Sequence, residues 1–237
     1  MARLYNGAER PNRCVYCYTI VIPPKLMTKT LTITEVVTSL NEAESRFNIR
    51  RNDNLEFFSE WQDNLPELTQ SEQDTLNRIK TSYLYNSADD SMTEATVNLL
   101  IVSPLLYLAG FCDPPYKLKG EKSVEFTVEE REETYRGRID PLVLKNKFWL
   151  TLIESKQTKF SFSVAIPQAL AYMMANPQPT QPSFGLVTNG DHFLFLKLIQ
   201  EPVGYYDLST DFSIFARPHN ELYNVLQIMK QIGTLIT

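Results

Sequence analysis

Two neighbouring runs of strand-forming residues constrain the fold of this chain more than any other feature. The first covers residues 136–144 and the second residues 148–155, and only the polar segment Lys145-Asn146-Lys147 separates them. Runs with this spacing predict a β-hairpin. Such a hairpin would bring Asp140 on the first strand close to Glu154 on the second.

The second strand is predicted to lie in the interior of its sheet. Successive side chains of a strand point to opposite faces, so Leu150 and Leu152 share one face while Trp149 and Ile153 share the other. A strand that is apolar on both faces is typical of an interior position. The charged Glu154 at the end of such a strand needs a reason, because burial of an unpaired charge is costly.

Asp140, Glu154 and Lys156 form a set suited to metal-assisted hydrolysis of phosphodiesters. Glu154 and Lys156 are two residues apart and point to the same face of the strand. Two carboxylates can hold Mg²⁺ or Mn²⁺, because hard cations prefer oxygen ligands, and a bound metal activates water and neutralises phosphate charge. The lysine can orient the nucleophile or stabilise developing charge. The alternative is that this D…ExK pattern arises by chance on a solvated strand face.

The charge balance fits a local nucleic-acid site better than bulk electrostatic binding. The chain has 237 residues, enough for one large domain or a domain with an appendage, and a net charge of −5. This charge argues against a protein that coats nucleic acid through overall positive potential. A local basic patch could serve instead, and its candidate residues are Lys117, Lys119, Lys122, Arg136, Arg138, Lys145, Lys147, Lys156 and Lys159.

The cysteines and the apolar segments favour a cytoplasmic protein. Cys14, Cys17 and Cys112 are an odd number with no disulfide framework, which suits a reducing compartment. No second Cys or His pair follows Cys14 and Cys17 at the spacing of a zinc site. The longest apolar stretch, residues 97–111, is shorter than the roughly 20 residues that span a bilayer, so no membrane association is expected.

The chain divides into three predicted parts. Residues 1–26 mix turn residues with Pro23-Pro24 and precede Met27, so we expect a disordered or mis-started extension there. Residues 27–90 are predicted to form an N-terminal helical region that packs on the core, and residues 91–237 to form the core itself.

The pattern of apolar residues predicts an α/β fold. Helices are predicted over residues 34–47, 69–85, 92–110, 164–176 and 220–236. Strands are predicted over residues 123–127, 135–144, 148–154, 184–188 and 192–198. Thr69 and Glu72 have the pattern of a capping box, residues 188–191 are a hairpin-turn signal, and Pro104 is predicted to kink the third helix. This order predicts a mixed β-sheet flanked by helices, with an N-terminal helical region.

With these elements placed, the chain resembles the PD-(D/E)xK nuclease superfamily, whose core is a helix, a three-stranded meander, a crossover helix and a further strand. More narrowly, it resembles the N-terminal nuclease domain of type I restriction enzyme R subunits, in the stand-alone form common in cyanobacteria. The likeness covers residues 27–237 and rests on motifs in the right order, which are Thr93-Glu94-Ala95, Ser103-Pro104-Leu105-Leu106, Leu108-Ala109-Gly110-Phe111, Gly137-Arg138-Ile139-Asp140, Glu154-Ser155-Lys156, Pro167-Gln168-Ala169-Leu170-Ala171-Tyr172 and Gly185-Leu186-Val187-Thr188-Asn189-Gly190. The resemblance implies a restriction-endonuclease-like core.

The resemblance also implies roles at a metal site. Asp140, Glu154 and the Ser155 backbone carbonyl would be metal ligands, and Lys156 would be the catalytic lysine. Glu94 would be the carboxylate that the first core helix contributes to the metal. The alternative role of Glu94 is structural, because residues 91–94 have the pattern of a capping box that starts a helix.

Three further residues are implied in support of the site or in contact with DNA. Gln168 and Tyr172 lie four apart on one helical face and match a Gln-x-x-x-Tyr signature that resembles RecB-type nucleases. Their alternative role is that of a buried polar pair on a packed helix. Arg138, in the Gly-Arg-Ile-Asp motif, is the third residue of this kind.

The sequence therefore predicts a Mg²⁺- or Mn²⁺-dependent deoxyribonuclease, an endonuclease of restriction-enzyme type, with DNA as its partner. Other restriction-modification subunits, or a second copy in a homodimer, are further candidate partners. ATP hydrolysis is not expected, because the chain has no Gly-x-x-x-x-Gly-Lys-Ser/Thr loop of the kind that serves a translocase. One alternative is a non-catalytic module that binds nucleic acid or a partner and retains the nuclease fold. Another is assembly with a second protein through the aromatic residues 57–61.

Overall fold

The structure, a computed structural model, covers most of the chain from Lys29 onward. It describes residues 29–88, 92–119, 122–128, 131–139, 142–145, 148–154 and 162–235. The extension predicted over residues 1–26, with Cys14 and Cys17, lies outside these described residues.

Within the described residues, the strands form two mixed sheets with helices packed against them, so the α/β fold class is confirmed. The smaller sheet has the order β1 (Lys29–Thr32), β5 (Glu133–Ile139) and β4 (Lys122–Val128). The larger sheet has the order β2 (Ile49–Arg51), β10 (Gly204–Ser213), β9 (His192–Ile199), β8 (Ser183–Thr188), β7 (Phe148–Glu154), β6 (Leu142–Lys145) and β3 (Lys117–Lys119).

Seven α-helical segments accompany the strands in the described part of the chain. They are α1 (Ile33–Val36), α2 (Leu40–Phe47), α3 (Gln70–Asn86), α4 (Glu94–Val97), α5 (Ser103–Leu108), α6 (Phe162–Met173) and α7 (Leu222–Thr234). A 3₁₀ turn covers Ser59–Trp61, and a π-helical segment, Asn98–Val102, joins α4 to α5. No helix among the described residues has the length and apolar character needed to cross a bilayer.

The predictions for local elements near β7 are confirmed. β7 has the predicted bounds and lies between β6 and β8, in the interior of the larger sheet. The crossover helix α6 joins β7 to β8, and the two strands are parallel. Residues 188–191 form the predicted turn between β8 and β9, where Gly190 has a φ of 90° that favours glycine. The capping box of Thr69 and Glu72 is present at the start of α3.

The single strand predicted over residues 135–144 is wrong. β5 ends at Ile139, where it pairs with Lys122 of the smaller sheet, and β6 begins at Leu142, which pairs with Thr151 of the larger sheet. The predicted hairpin is therefore formed by β6 and β7 alone. The sequence has a proline, Pro141, between the two strands, and a proline has no N–H to donate to a strand partner.

The single helix predicted over residues 34–47 is also wrong. The side chain of Ser39 accepts the Glu42 N–H at 3.3 Å and so caps a new helix, α2. The Glu42 carboxylate in turn accepts hydrogen bonds from both the N–H and the hydroxyl of Thr38, at 2.8 Å each. These three interactions stabilise a helix start where the apolar pattern alone indicates continuity.

The helix predicted over residues 92–110 contains a wider turn just before Pro104. The Ser103 N–H donates to the carbonyl of Asn98, five residues earlier, as in a π-helix. This local change accommodates a proline that cannot donate to the preceding turn.

Two hydrophobic clusters lie on opposite faces of the central strands of the larger sheet. One cluster contains Phe184 and Phe195 and is covered by α3, α7 and the segment from α4 to α5. The other contains Val187 and Leu196 and is covered by α6 and α2. All six residues of β8 are buried. A sheet covered on both faces leaves only strand ends and edges exposed to solvent.

The aromatic residues at positions 57–61 belong to the first cluster. Phe58 is fully buried, and its ring lies 6.0 Å from that of Phe184. Trp61 packs edge-on against Phe212 at 6.4 Å. The aromatic side chains of residues 57–61 therefore pack against the core of the chain itself, and this packing does not support assembly with a second protein through them.

A buried ion pair crosses the same face of the sheet. Lys197 of β9 donates to the Phe57 carbonyl at 2.7 Å and to Glu60 Oε1 at 2.5 Å. Both side chains are mostly buried, with 11% and 15% of their surface exposed. Glu60 Oε2 is buried with no hydrogen-bond partner among the described residues. Removal of the lysine would leave a buried carboxylate without its counter-ion.

We expect Lys197→Met to lower the free energy of unfolding by about 3 kcal/mol, because it removes one partner of a buried pair. The double variant Lys197→Met/Glu60→Gln should be more stable than the single variant, since no unpaired charge remains. Urea unfolding measures both. Arg136→Met is the control, because its pair with Glu125 is exposed and should contribute less than about 1 kcal/mol. Equal losses of stability in Lys197→Met and Arg136→Met would show that the buried Lys197–Glu60 pair matters no more than an exposed ion pair.

Candidate active site

The parallel strands β7 and β8 end side by side at one edge of the larger sheet. Glu154, the last residue of β7, is the register partner of Thr188, the last residue of β8. We call this edge the carboxyl edge. Ligands of open α/β sheets bind outside the carboxyl ends of parallel strands, so the backbone position of Glu154 suits a functional carboxylate.

The turn after β8 gives the carboxyl edge a fixed shape. The buried Thr188 hydroxyl accepts the Gly190 N–H at 2.9 Å, and the Asn189 side chain accepts the N–H groups of Asp191 and His192. Tyr83 of α3 lies against Gly190, and its hydroxyl donates to Asp191 at 3.0 Å.

Asp140 follows directly after β5 in the sequence, and the strands on both sides of it approach β7. β5 contacts β7 although the two belong to different sheets, and Leu142 at the start of β6 pairs with Thr151 of β7. Asp140 itself lies outside the described residues, as do Ser155 and Lys156. For Arg138, the structure describes the backbone position in β5, where it pairs with Ser123.

Glu94 is the first residue of α4, and residues 87–93 connect this helix to α3 in the sequence. The contact of Tyr83 with the 189–191 turn places the last part of α3 at the carboxyl edge. After the α4–α5 segment, Tyr116 precedes β3, which starts opposite Leu144 and so away from the carboxyl edge.

The capping box predicted over residues 91–94 is wrong, because the helix starts at Glu94 rather than at Met92. The Thr93 hydroxyl accepts the Thr96 N–H at 3.3 Å, so Thr93 is the N-cap and Glu94 is the first helical residue. A capping box that started at Ser91 would need Glu94 at the third helical position. Ser91 lies outside the described residues.

Helix α6 connects the two sheets through Tyr172. A Cβ atom added to Gly137 of β5 would lie 2.9 Å from the Tyr172 hydroxyl oxygen and 3.0 Å from its ring carbon Cζ. Tyr172 is 5% exposed, whereas Gln168, one turn earlier, is only partly buried. Of the two, Tyr172 therefore packs against the strand that precedes Asp140, and Gln168 keeps some solvent exposure.

The sequence analysis did not predict that position 137 requires glycine, although a glycine within a strand was a signal for it. A glycine inside a strand often marks a close approach of another group to the backbone, and Gly137 stands in the middle of β5. Tyr172 occupies the space that any larger side chain at position 137 would fill.

A small polar network holds the start of β5, on the same face as Gly137. Arg46 of α2 donates to Glu133 at 3.4 Å and to the hydroxyl of Tyr135 at 3.3 Å. Burial raises the pKa of Tyr135, and its hydrogen bond to Glu133 raises it further. The hydroxyl therefore stays protonated at neutral pH and donates to the Glu133 carboxylate.

The described residues contain no group of three or more His, Cys, Asp or Glu side chains that could hold a metal ion. Of the ligands implied above, Asp140 and Ser155 are outside those residues, and Glu154 and Glu94 are placed by their backbone.

We expect Gly137→Ala to lower the free energy of unfolding by about 1–3 kcal/mol, because its methyl group would overlap the Tyr172 ring. In the background of Tyr172→Leu, which removes the ring, the same change should cost much less. Urea unfolding of the four proteins gives the coupling free energy. An equal cost in both backgrounds would show that Tyr172 is not the group that excludes a side chain at position 137.

Residues 28–203 match the family described as "Type I restriction enzyme R protein N terminus". The matched segment includes β1 to β9 and helices α1 to α6, and it ends just before β10. No curated protein matches the chain.

Proposed function

This chain belongs to the type I restriction enzyme R protein N-terminal family, and we propose on that basis that it is a metal-dependent deoxyribonuclease. The observation that carries the proposal is the position of Glu154 at the carboxyl edge. There it ends an interior strand, next to a crossover helix that packs on the strand preceding Asp140. DNA is the proposed substrate, and endonucleolytic cleavage is the proposed reaction.

The oxygen atoms that we propose as metal ligands suit Mg²⁺ or Mn²⁺. Carboxylate and carbonyl oxygens are the ligands that such hard cations prefer. We assign Asp140, Glu154, the Ser155 carbonyl and Glu94 as ligands. When bound, the metal would lower the pKa of a coordinated water and offset phosphate charge.

The remaining groups act on water, phosphate and DNA. Lys156 follows Glu154 by two residues, and in a continuing strand it would share the same face. Its ammonium group positions the attacking water and stabilises charge that develops on the phosphate oxygens. Tyr172 supports the Gly137 strand by packing, while Gln168 and Arg138 contact the DNA. Other restriction-modification subunits or a second copy of the chain are the proposed protein partners.

We expect Asp140→Asn and Glu154→Gln to abolish cleavage of plasmid DNA in Mg²⁺, because each loses a charged oxygen ligand. Lys156→Ala should retain metal binding but slow cleavage by about 100-fold or more, since the lysine acts on the transition state. Plasmid nicking measures cleavage, and calorimetric titration with Mn²⁺ measures metal binding. Glu35→Gln, which changes an exposed carboxylate in α1, is the control and should behave as the parent does.

Parental rates in all three site variants would refute the mechanism. A parent protein that binds DNA but neither binds Mn²⁺ nor cuts DNA would instead identify a non-catalytic binding module that retains the fold.

The role of Glu94 can be tested separately, because the structure assigns the cap to Thr93. We expect Glu94→Gln to weaken Mn²⁺ affinity in calorimetry and to change the free energy of unfolding by less than about 1 kcal/mol, as for loss of a first-turn carboxylate. Glu35→Gln is the matched control, because it also removes a first-turn carboxylate. Unchanged Mn²⁺ affinity in Glu94→Gln would exclude Glu94 as a ligand.

A further inference from the structure

A second feature of the carboxyl edge is a cavity of about 520 Å³ between α3 and the start of α7. Three basic side chains line it, Lys80, Arg217 and His219, together with the polar side chains of Asn77, Asn220 and Tyr223. We call this cavity the Arg217 pocket. Most of its residues follow position 203, where the family match ends, so the match itself assigns them no role.

The Arg217 pocket opens at the same sheet edge as Glu154. Ser213, the last residue of β10, pairs with His192, the first residue of β9. The next residue, Ile214, donates its N–H to the carbonyl of Asp191 at 2.8 Å, which ties the 214–220 loop to the turn after β8. Adjacent strands lie about 4.8 Å apart, so β10 ends roughly 14 Å from the end of β7. A DNA duplex rises about 3.4 Å per base pair, so this separation corresponds to roughly four base pairs.

The pocket is positively charged. Lys80 is held in place by a hydrogen bond of 2.9 Å to the Ala216 carbonyl. Arg217 is exposed and has no ion-pair partner among the described residues. Burial lowers the pKa of Lys80, and the charge of Arg217 lowers it further, so the two cations repel each other. An anion between them would relieve this repulsion.

Glu221 is an acid near Lys80, and its charge partly offsets the effect of Arg217 on the pKa of Lys80. One of its carboxylate oxygens accepts the Ser213 N–H at 2.6 Å. It therefore also has a structural task at the end of β10, and Arg217 remains the cation that faces solvent.

The polar groups of the pocket present a hydrogen-bond donor. The side-chain oxygen of Asn77 accepts from the Asn220 amide at 3.1 Å and from the Tyr223 hydroxyl at 3.0 Å. Because the oxygen of Asn77 is engaged, its amide N–H groups are what it can offer to a ligand. Donors and cations together recognise an oxyanion such as a phosphate.

We propose that the Arg217 pocket binds a backbone phosphate of the DNA whose cleavage is proposed above. The pocket lies beyond the end of β10, whereas β6 lies on the other side of β7. This inference rests on the proposed function for the identity of the nucleic acid. It assigns to α3 and to the 214–220 loop the task of positioning DNA along the sheet edge. The contact reads no sequence, because it is made to phosphate.

The test measures DNA affinity as a function of salt concentration, with Ca²⁺ in place of Mg²⁺ to prevent turnover. The probe is a fluorescently labelled duplex a few helical turns long. Loss of one phosphate contact should make the slope of log K against log salt less steep by about 0.9. We expect this change in Arg217→Gln, with weaker binding to duplexes of any sequence. Arg217→Lys, which keeps the charge, should retain the parental slope.

Arg50→Gln is the matched control, because it removes an exposed arginine far from the carboxyl edge. Arg50 lies in β2, which pairs with the start of β10, whereas the Arg217 pocket lies beyond the end of β10. Arg50→Gln should leave the slope unchanged. The parental slope in Arg217→Gln, an equal fall in Arg50→Gln, or no DNA binding by the parent would each overturn the inference. Melting temperatures without DNA verify that every variant is folded.

The two proposals fail in different ways. If the parent binds DNA through Arg217 but does not cut plasmid in Mg²⁺, the pocket stands and the nuclease assignment falls. If the parent cuts DNA and Arg217→Gln binds as the parent does, the nuclease assignment stands and the pocket inference falls.

Discussion

Desolvation on both faces of the larger sheet is the constraint on which the rest of the structure depends. β8 is buried along its whole length, and hydrophobic clusters cover it from both sides. A charge within such strands needs a partner, as Lys197 of β9 has in Glu60. Elsewhere, charged groups are tolerated where strands end. The position of Glu154 at the end of β7, and that of the Arg217 pocket beyond the end of β10, both follow from this limit.

The smaller sheet is joined to the larger one by apolar packing. The second hydrophobic cluster contains Val124 and Tyr135 from the smaller sheet and Val187 from the larger one. Tyr172 adds a close contact with Gly137. Because the chain changes sheets between β5 and β6, the strands before and after Asp140 belong to different sheets, and packing between the sheets holds these strands together.

Features with local causes could be predicted from the sequence, and features with distant causes could not. The capping box at Thr69 and the turn at Gly190 depend on neighbouring residues, and both are confirmed. β1 and β2 are short and form only through partners far along the chain, and β10 is too polar to be recognised by its pattern. In the site, the motifs indicated Tyr172, but the reason for Gly137 needs the packed helix. The Arg217 pocket was missed because Lys80 and the 214–220 loop are distant in sequence.

The two outermost strands of the larger sheet are each only three residues long, and both are basic. β3 carries Lys117 and Lys119, and β2 carries Arg50. An open sheet edge is a template for strand addition, and short charged strands oppose it. If two copies approached edge to edge, they would align cations with cations over too few residues for the hydrogen bonds to compensate. The same strands that end the sheet therefore also oppose its growth into larger β-aggregates, although a sheet of this size has a strongly apolar interior.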